Sequence, residues 1–119
     1  MDPLENIDRV IHEKARLSIM TSLVGSSAGM LFSDLKKSCN LTDGNLNRHL
    51  KVLEDAKLIT VRRQGSGRNS QSRMRLTATG KRAFETYLNS LEQIVEAARA
   101  AARSVDSRNA VPQPGTATG

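Results

Sequence analysis

The sequence predicts an α+β fold that is mainly helical, with one small β-hairpin and a long closing helix. Three observations carry that expectation. Apolar residues recur at spacings of three and four across residues 7–23, 46–53 and 84–102, the period of amphipathic helices. Residues 58–63 and 73–76 are instead β-branched or alternating, and they bracket a loop rich in glycine and serine at residues 64–72. Aromatic residues make up only 3% and tryptophan is absent, so the core of this 119-residue chain must rest on Leu, Ile, Val, Met and Ala.

Each element follows in order. Ile7, Val10, Ile11, Leu17, Met20 and Leu23 mark a first helix over residues 6–23. The small residues of Gly25-Ser26-Ser27-Ala28-Gly29 break it, and Met30-Leu31-Phe32 reads as a brief strand. Ser33 is placed to cap a short helix over residues 34–39, with Leu35 inward and Asp34 favouring the positive end of the helix dipole. Asn40-Leu41 makes a turn and Thr42 caps the next helix, where Leu46, Leu50 and Leu53 form the buried stripe and the helix stops near Lys57. Strands over residues 58–63 and 73–76 flank Gln64-Gly65-Ser66-Gly67-Arg68-Asn69-Ser70-Gln71-Ser72. Thr77 then caps a helix over residues 78–103. Residues 104–119 lose the pattern and hold Pro112 and Pro114, so a disordered tail is expected after one domain over residues 1–103.

Charge and composition narrow the function. Net charge is +6, and residues 45–82 carry ten basic and two acidic side chains, so the excess sits on the third helix and the hairpin. Clustered Lys and Arg of this kind bind DNA by releasing condensed counterions. The single cysteine, Cys39, excludes an internal disulfide, and no apolar run approaches the ~20 residues that span a bilayer. The start of the chain lacks the regions of a signal peptide, which points to the cytoplasm. His12 and His49 have no ligand partners at metal-binding spacing, and no nucleophile–base pair or phosphate-cradling loop is present. Neither a catalytic site nor a cofactor is expected.

The helix from Thr42 carries the strongest functional signal. With its leucines in the core, Asp43, Gly44, Asn47, Arg48 and Lys51 point outward or to the flanks. Arginine can pair with a guanine edge and asparagine with an adenine edge in a major groove, each worth about 1–3 kcal/mol of discrimination. Gly44 leaves bare backbone where the helix N-terminus would approach a phosphate. In the hairpin, Arg68 near the tip suits a minor groove or a phosphate, and Arg62, Arg63 and Arg73 suit the backbone. In the closing helix Phe84, Leu88, Leu91, Val95, Ala98 and Ala102 alternate spacings of four and three, with Tyr87 and Ile94 beside them. Such a seam suits a homodimer, whose two-fold axis would set two reading helices one DNA turn apart.

Together these elements read as a winged helix-turn-helix. Residues 41–59, then Gly67-Arg68, Arg75-Leu76-Thr77 and Gly80-Lys81, resemble the MarR/ArsR-like winged helix transcriptional regulators, and most closely the small stand-alone winged helix DNA-binding domains of bacteria and archaea. The resemblance spans roughly residues 7–95. It implies a cytosolic homodimer that binds double-stranded DNA at an inverted-repeat operator, usually as a repressor. It maps the reading positions to Thr42, Asp43, Gly44, Asn45, Asn47, Arg48 and Lys51, and the wing arginine to Arg68. Lys57 departs from the pattern, standing where relatives commonly carry glycine after the reading helix, and the hairpin lacks their proline and aromatic residues. ArsR-type metal ligands are missing too, so metal sensing is not implied. Two other functions remain open on the same fold: a protein-interaction module with its basic face turned to an acidic partner, or a sensor responding to an effector or through its thiol.

Overall fold

The computed structural model describes residues 7–109. Four helices, α1 (Lys14–Val24), α2 (Phe32–Cys39), α3 (Asp43–Asp55) and α4 (Ala78–Asn109), surround a three-stranded antiparallel sheet of β1 (Met30–Leu31), β2 (Ile59–Gln64) and β3 (Gln71–Leu76). The strand order is β1-β3-β2, so the hairpin strand β3 is central and the two-residue β1 covers its far edge.

Helix α1 begins eight residues later than the apolar spacing suggests. The Asp8 carboxylate accepts from the backbone N–H groups of Val10 and Ile11, at 2.9 and 3.2 Å, and holds this segment in a turn. Ile11 is fully buried from that turn, which is why its spacing imitated a helical stripe. Glu13 then caps α1, its carboxylate accepting from Ala15 and Arg16 N–H at 3.1 Å each. Ser33 is not a cap: α2 starts at Phe32, directly after the β1 residue Leu31, which pairs with Arg73 and offers no capping side chain. Asn40 ends α2 in the left-handed region at φ 53°, a conformation asparagine tolerates.

Thr42 does cap α3, its Oγ1 accepting from Asn45 N–H at 3.2 Å. Beyond the helix, Lys57 adopts φ +64°, the left-handed conformation glycine favours. The next strand is locked to α4 through Thr77, whose hydroxyl donates to the Lys57 carbonyl (2.7 Å) and accepts from Gly80 N–H (2.8 Å). Gly80 is there because a Cβ would collide with the Leu58 carbonyl oxygen.

Ile19, Met20, Leu35, Leu46, Leu53 and Met74 are fully buried at the centre of the core, where α1, α2, α3 and the sheet meet. Helix α4 contributes Phe84 and Tyr87 from its first three turns, buries Ser90 and packs half-buried Leu91 against the core, then leaves it. It continues helical to Asn109, six residues past the expected end at 103, because each added residue gains one backbone bond once a helix is running. Of the expected tail, residues 104–109 are thus helical and 110–119 lie outside the described residues. The projecting helix stretches the molecule to 76 × 31 × 24 Å.

Candidate nucleic-acid interface

Helix α3 is amphipathic by the arithmetic of its sequence. Leu46, His49, Leu50 and Leu53 face the core, while Asp43, Gly44, Asn45, Asn47, Arg48 and Lys51 are all exposed on an uninterrupted arc, with the capping Thr42 exposed at its foot. Asp43 is held back by Lys36 of α2 at 2.8 Å, so its charge is partly offset where a phosphate would approach. No atom lies within 4 Å of a Cβ built at Gly44, so the fold does not require glycine there. Arg48 leans toward Asn45, with Nη2 donating to Oδ1 at 3.5 Å, whereas Lys51 pairs with Asp55 at 3.2 Å. Asn47 and Lys51 also border a cleft of about 270 Å³ between α3 and the sheet, floored by Phe32, Leu50 and Met74.

The hairpin arginines separate by strand alternation, since side chains of successive residues point to opposite faces. Arg63 shares the α3-facing side with Val61 and Met74, and its Nη1 donates to Ser70 Oγ at 3.0 Å. Arg68 is exposed in the short 3-10 turn at the tip, Gly67–Asn69. Arg62 and Arg73 are direct cross-strand partners on the other face, together with Arg75. The four expected wing arginines are therefore not one contact surface but two surfaces and a tip.

Along α4, Leu88 and Val95 are 40% and 47% exposed, and with Leu91 they line a shallow trough of about 420 Å³ edged by Glu92 and Glu96. Ile94 is half-buried and Ala98 exposed. Phe84 and Tyr87, expected at the same seam, are 4% and 1% exposed and belong to the chain's own core, because the turn before α1 reaches that part of the helix, with His12 Nδ1 2.8 Å from the Tyr87 hydroxyl. The helix running on to Asn109 adds Val105, 51% exposed and three residues past Ala102, in the same spacing.

Residues 15–95 match the winged helix DNA-binding domain family. The chain belongs to that family. An uncharacterized protein of Methanocaldococcus jannaschii is 29% identical over 86 residues, which is 72% of this chain and 92% of that protein. A solved transcriptional regulator homologue from Pyrococcus horikoshii superposes with a TM-score of 0.75 at 27% identity, covering 82% of this chain and 97% of that one. MepR of Staphylococcus aureus, solved with DNA, shares the fold with a TM-score of 0.59 at 17% identity over 92% of this chain and 86% of its own. The fold is shared with solved MarR-family and ArsR-family transcriptional regulators.

Sequence reasoning assigned this winged helix domain too little at His49 and at Arg75. His49 is 5% exposed, with Nδ1 3.3 Å from Glu13 Oε2 and 3.2 Å from Arg16 Nη1, and Nε2 3.5 Å from Arg48 Nη2. Either neutral tautomer finds a partner: a protonated Nδ1 donates to Glu13, or a bare one accepts from Arg16. Burial pushes the imidazole below its ordinary pKa of 6.5; Glu13 opposes this, and Arg48 and Arg16 reinforce it. The neutral form is therefore favoured near neutrality, and the Glu13 contact is a hydrogen bond rather than an ion pair. Glu13 feels burial in the opposite sense, but the Ala15 and Arg16 N–H groups, with His49 and Arg16, hold its carboxyl below the ordinary 4.5. This cluster ties the cap of α1 to the residue beside Arg48. A single histidine in a helical stripe carries no signal of it, whereas the alternation Arg73-Met74-Arg75 did carry the signal for Arg75.

Proposed function

We propose that the protein is a cytoplasmic transcriptional regulator that binds duplex DNA as a homodimer, occupies an inverted-repeat operator and represses by doing so. The observation that best supports this is α3 itself: one face is locked into the core and the other presents Asn45, Asn47, Arg48 and Lys51 to solvent beside a basic hairpin. Arg48 and Asn47 would read base edges, Thr42, Asp43, Gly44 and Asn45 would seat the helix N-terminus against the backbone, and Lys51 would contact a phosphate. Arg68 would enter the minor groove, with Arg62, Arg63 and Arg73 on the backbone.

The homodimer reading rests on Leu88, Leu91, Ile94, Val95 and Ala98. Two such helices packed together would hide an apolar stripe that one protomer leaves in water. Their two-fold axis would set the α3 helices about 34–36 Å apart, one turn of DNA. Selection of tight binders from random-sequence duplexes, at two salt concentrations, tests this reading. Recovery of an inverted repeat with half-sites one turn apart is the expected result. Binding without sequence preference would reduce the protein to a general DNA binder, and no binding at low salt would transfer its basic face to an acidic protein partner.

A further inference from the structure

Buried His49 stands between the start of α1 and the exposed Arg48 of α3. On one side its Nδ1 lies 3.3 Å from Glu13 Oε2 and 3.2 Å from Arg16 Nη1; on the other, Nε2 lies 3.5 Å from Arg48 Nη2. The same Nη2 lies 3.5 Å from Asn45 Oδ1. Nδ1 finds a partner in either neutral tautomer, so Nε2 decides between them. Arginine only donates, so Nε2 must be the bare nitrogen that accepts, and Nδ1 carries the hydrogen and donates to Glu13. The opposite tautomer would set Nε2–H against the guanidinium, and the lone pair of Nδ1 against the Glu13 carboxylate. Arg16 loses little in the favoured form: its Nη1 keeps Glu13 Oε2 at 3.8 Å, and its Nε donates to the Val10 carbonyl at 2.6 Å.

Glu13 is itself fixed. Its two carboxylate oxygens accept from Ala15 and Arg16 N–H as the cap of α1, so it cannot turn away without uncapping that helix. A chain of hydrogen bonds therefore runs from a helix terminus, through a buried imidazole, to a side chain at the surface. In such a ring the partner of one nitrogen sets the tautomer, and the tautomer sets what the other nitrogen can hold.

We propose that His49 is a positioning residue for base reading: its tautomer fixed by Glu13, its Nε2 accepts from Arg48 and, with Asn45 Oδ1, orients the guanidinium. The inference rests on the reading of Arg48 as a base contact and names what orients it. A side chain ordered before binding loses less entropy on binding. Protonation reverses the arrangement. An imidazolium donates from both nitrogens, so it keeps Glu13 but turns an N–H and a positive charge on Arg48. Burial is the largest influence against that charge, Glu13 favours it, and Arg48 and Arg16 oppose it, which puts the change below pH 6.5. Acid should therefore loosen Arg48 and cost sequence discrimination, while the added positive charge leaves attraction to phosphate undiminished.

The test is the ratio of affinities of the full chain for a selected operator and its scrambled counterpart. It is measured at constant salt from above pH 6.5 down to about 5, with circular dichroism confirming the folded state throughout. In the wild type the ratio should fall about fivefold or more toward acid, with binding to scrambled duplex held or tightened. His49→Gln should flatten the profile, since a carboxamide does not titrate. Arg48→Ala should flatten it too, at a low ratio, because the side chain being positioned is gone; a general loosening of the fold would not respond to that change. Nitrogen-15 shifts of the His49 ring above pH 6.5 should show the hydrogen on Nδ1, and a hydrogen on Nε2 would overturn the proposal. A wild-type ratio constant with pH would overturn it with DNA binding intact, and so would a pH dependence that persists in Arg48→Ala. Equal loss on both duplexes in acid would overturn it as well and assign the effect to unfolding. Failure to bind either duplex, or binding with no preferred sequence at any pH, would instead remove Arg48 as a base contact and this role with it.

Discussion

At the scale of single residues, the polar side chains of α3 divide into those the fold needs and those it leaves free. Arg48 is exposed and among the described residues makes only long contacts, to Asn45 and His49, so its removal should leave the melting temperature nearly unchanged. Arg48→Ala should weaken operator binding by about 1–3 kcal/mol and non-specific binding by much less, measured by titration onto matched and scrambled duplexes. Equal loss on both would remove Arg48 from the reading set. His49 is the opposite case, buried and bonded. Its folded-state pKa lies below 6.5, so neutral imidazole is the form the fold tolerates. Stability should then be full above 6.5 and fall as pH drops from 6.5 through the folded pKa, where the unfolded chain takes the proton more readily. Glu13, lowered from 4.5, adds a second loss below that value as its carboxylate is neutralised. Melting temperature against pH for wild type and His49→Gln measures this: the variant should lose the upper slope and keep the lower one.

At the scale of elements, junctions decide more than propensities. The α3–β2 junction places Lys57 at φ +64°, a conformation that costs an L-residue about 1–2 kcal/mol. Lys57→Gly should therefore stabilise the protein, by up to about 1 kcal/mol after glycine's larger unfolded-state entropy is subtracted, read by denaturant midpoint. The β3–α4 junction is tighter. A Cβ at Gly80 meets the Leu58 backbone rather than a movable side chain, so Gly80→Ala should cost about 1–3 kcal/mol despite alanine's better helix propensity. A neutral result would mean that α4 can shift away from β2 at little cost. The helices and strands themselves were legible from period and capping: Thr42 and Thr77 cap as their sequence context suggested. The start of α1 and the cap of α2 were not. Asp8 bonding to its own backbone and Leu31 pairing with Arg73 are contacts that no local pattern encodes.

For the molecule as a whole, α4 is the feature that exceeds what the core of one chain covers. Its 32 residues run about 48 Å, and from Glu92 to Ser107 the side chains are exposed apart from half-buried Ile94. Replacing Leu88 and Val95 by glutamate should leave the protomer folded, since both are already 40% or more exposed, and shift the mass in solution to that of a monomer. The same variant should then lose the dyad spacing in operator selection. A dimer that survives both substitutions would have its interface elsewhere.

The sequence by itself determined the elements, the buried leucines of α3, the polar face opposite them and the basic hairpin. Each of these is a local matter of period, capping residue and charge, and neighbours in the chain suffice to set them. The tertiary structure alone decided which of those residues share a surface. It took Phe84 and Tyr87 out of the exposed seam, drew His49 into a cluster with Glu13 and Arg16, and divided the wing arginines between two faces of the sheet. The physical reason is register and packing. Which side chain meets water depends on the element laid against it, and that element comes from tens of residues away.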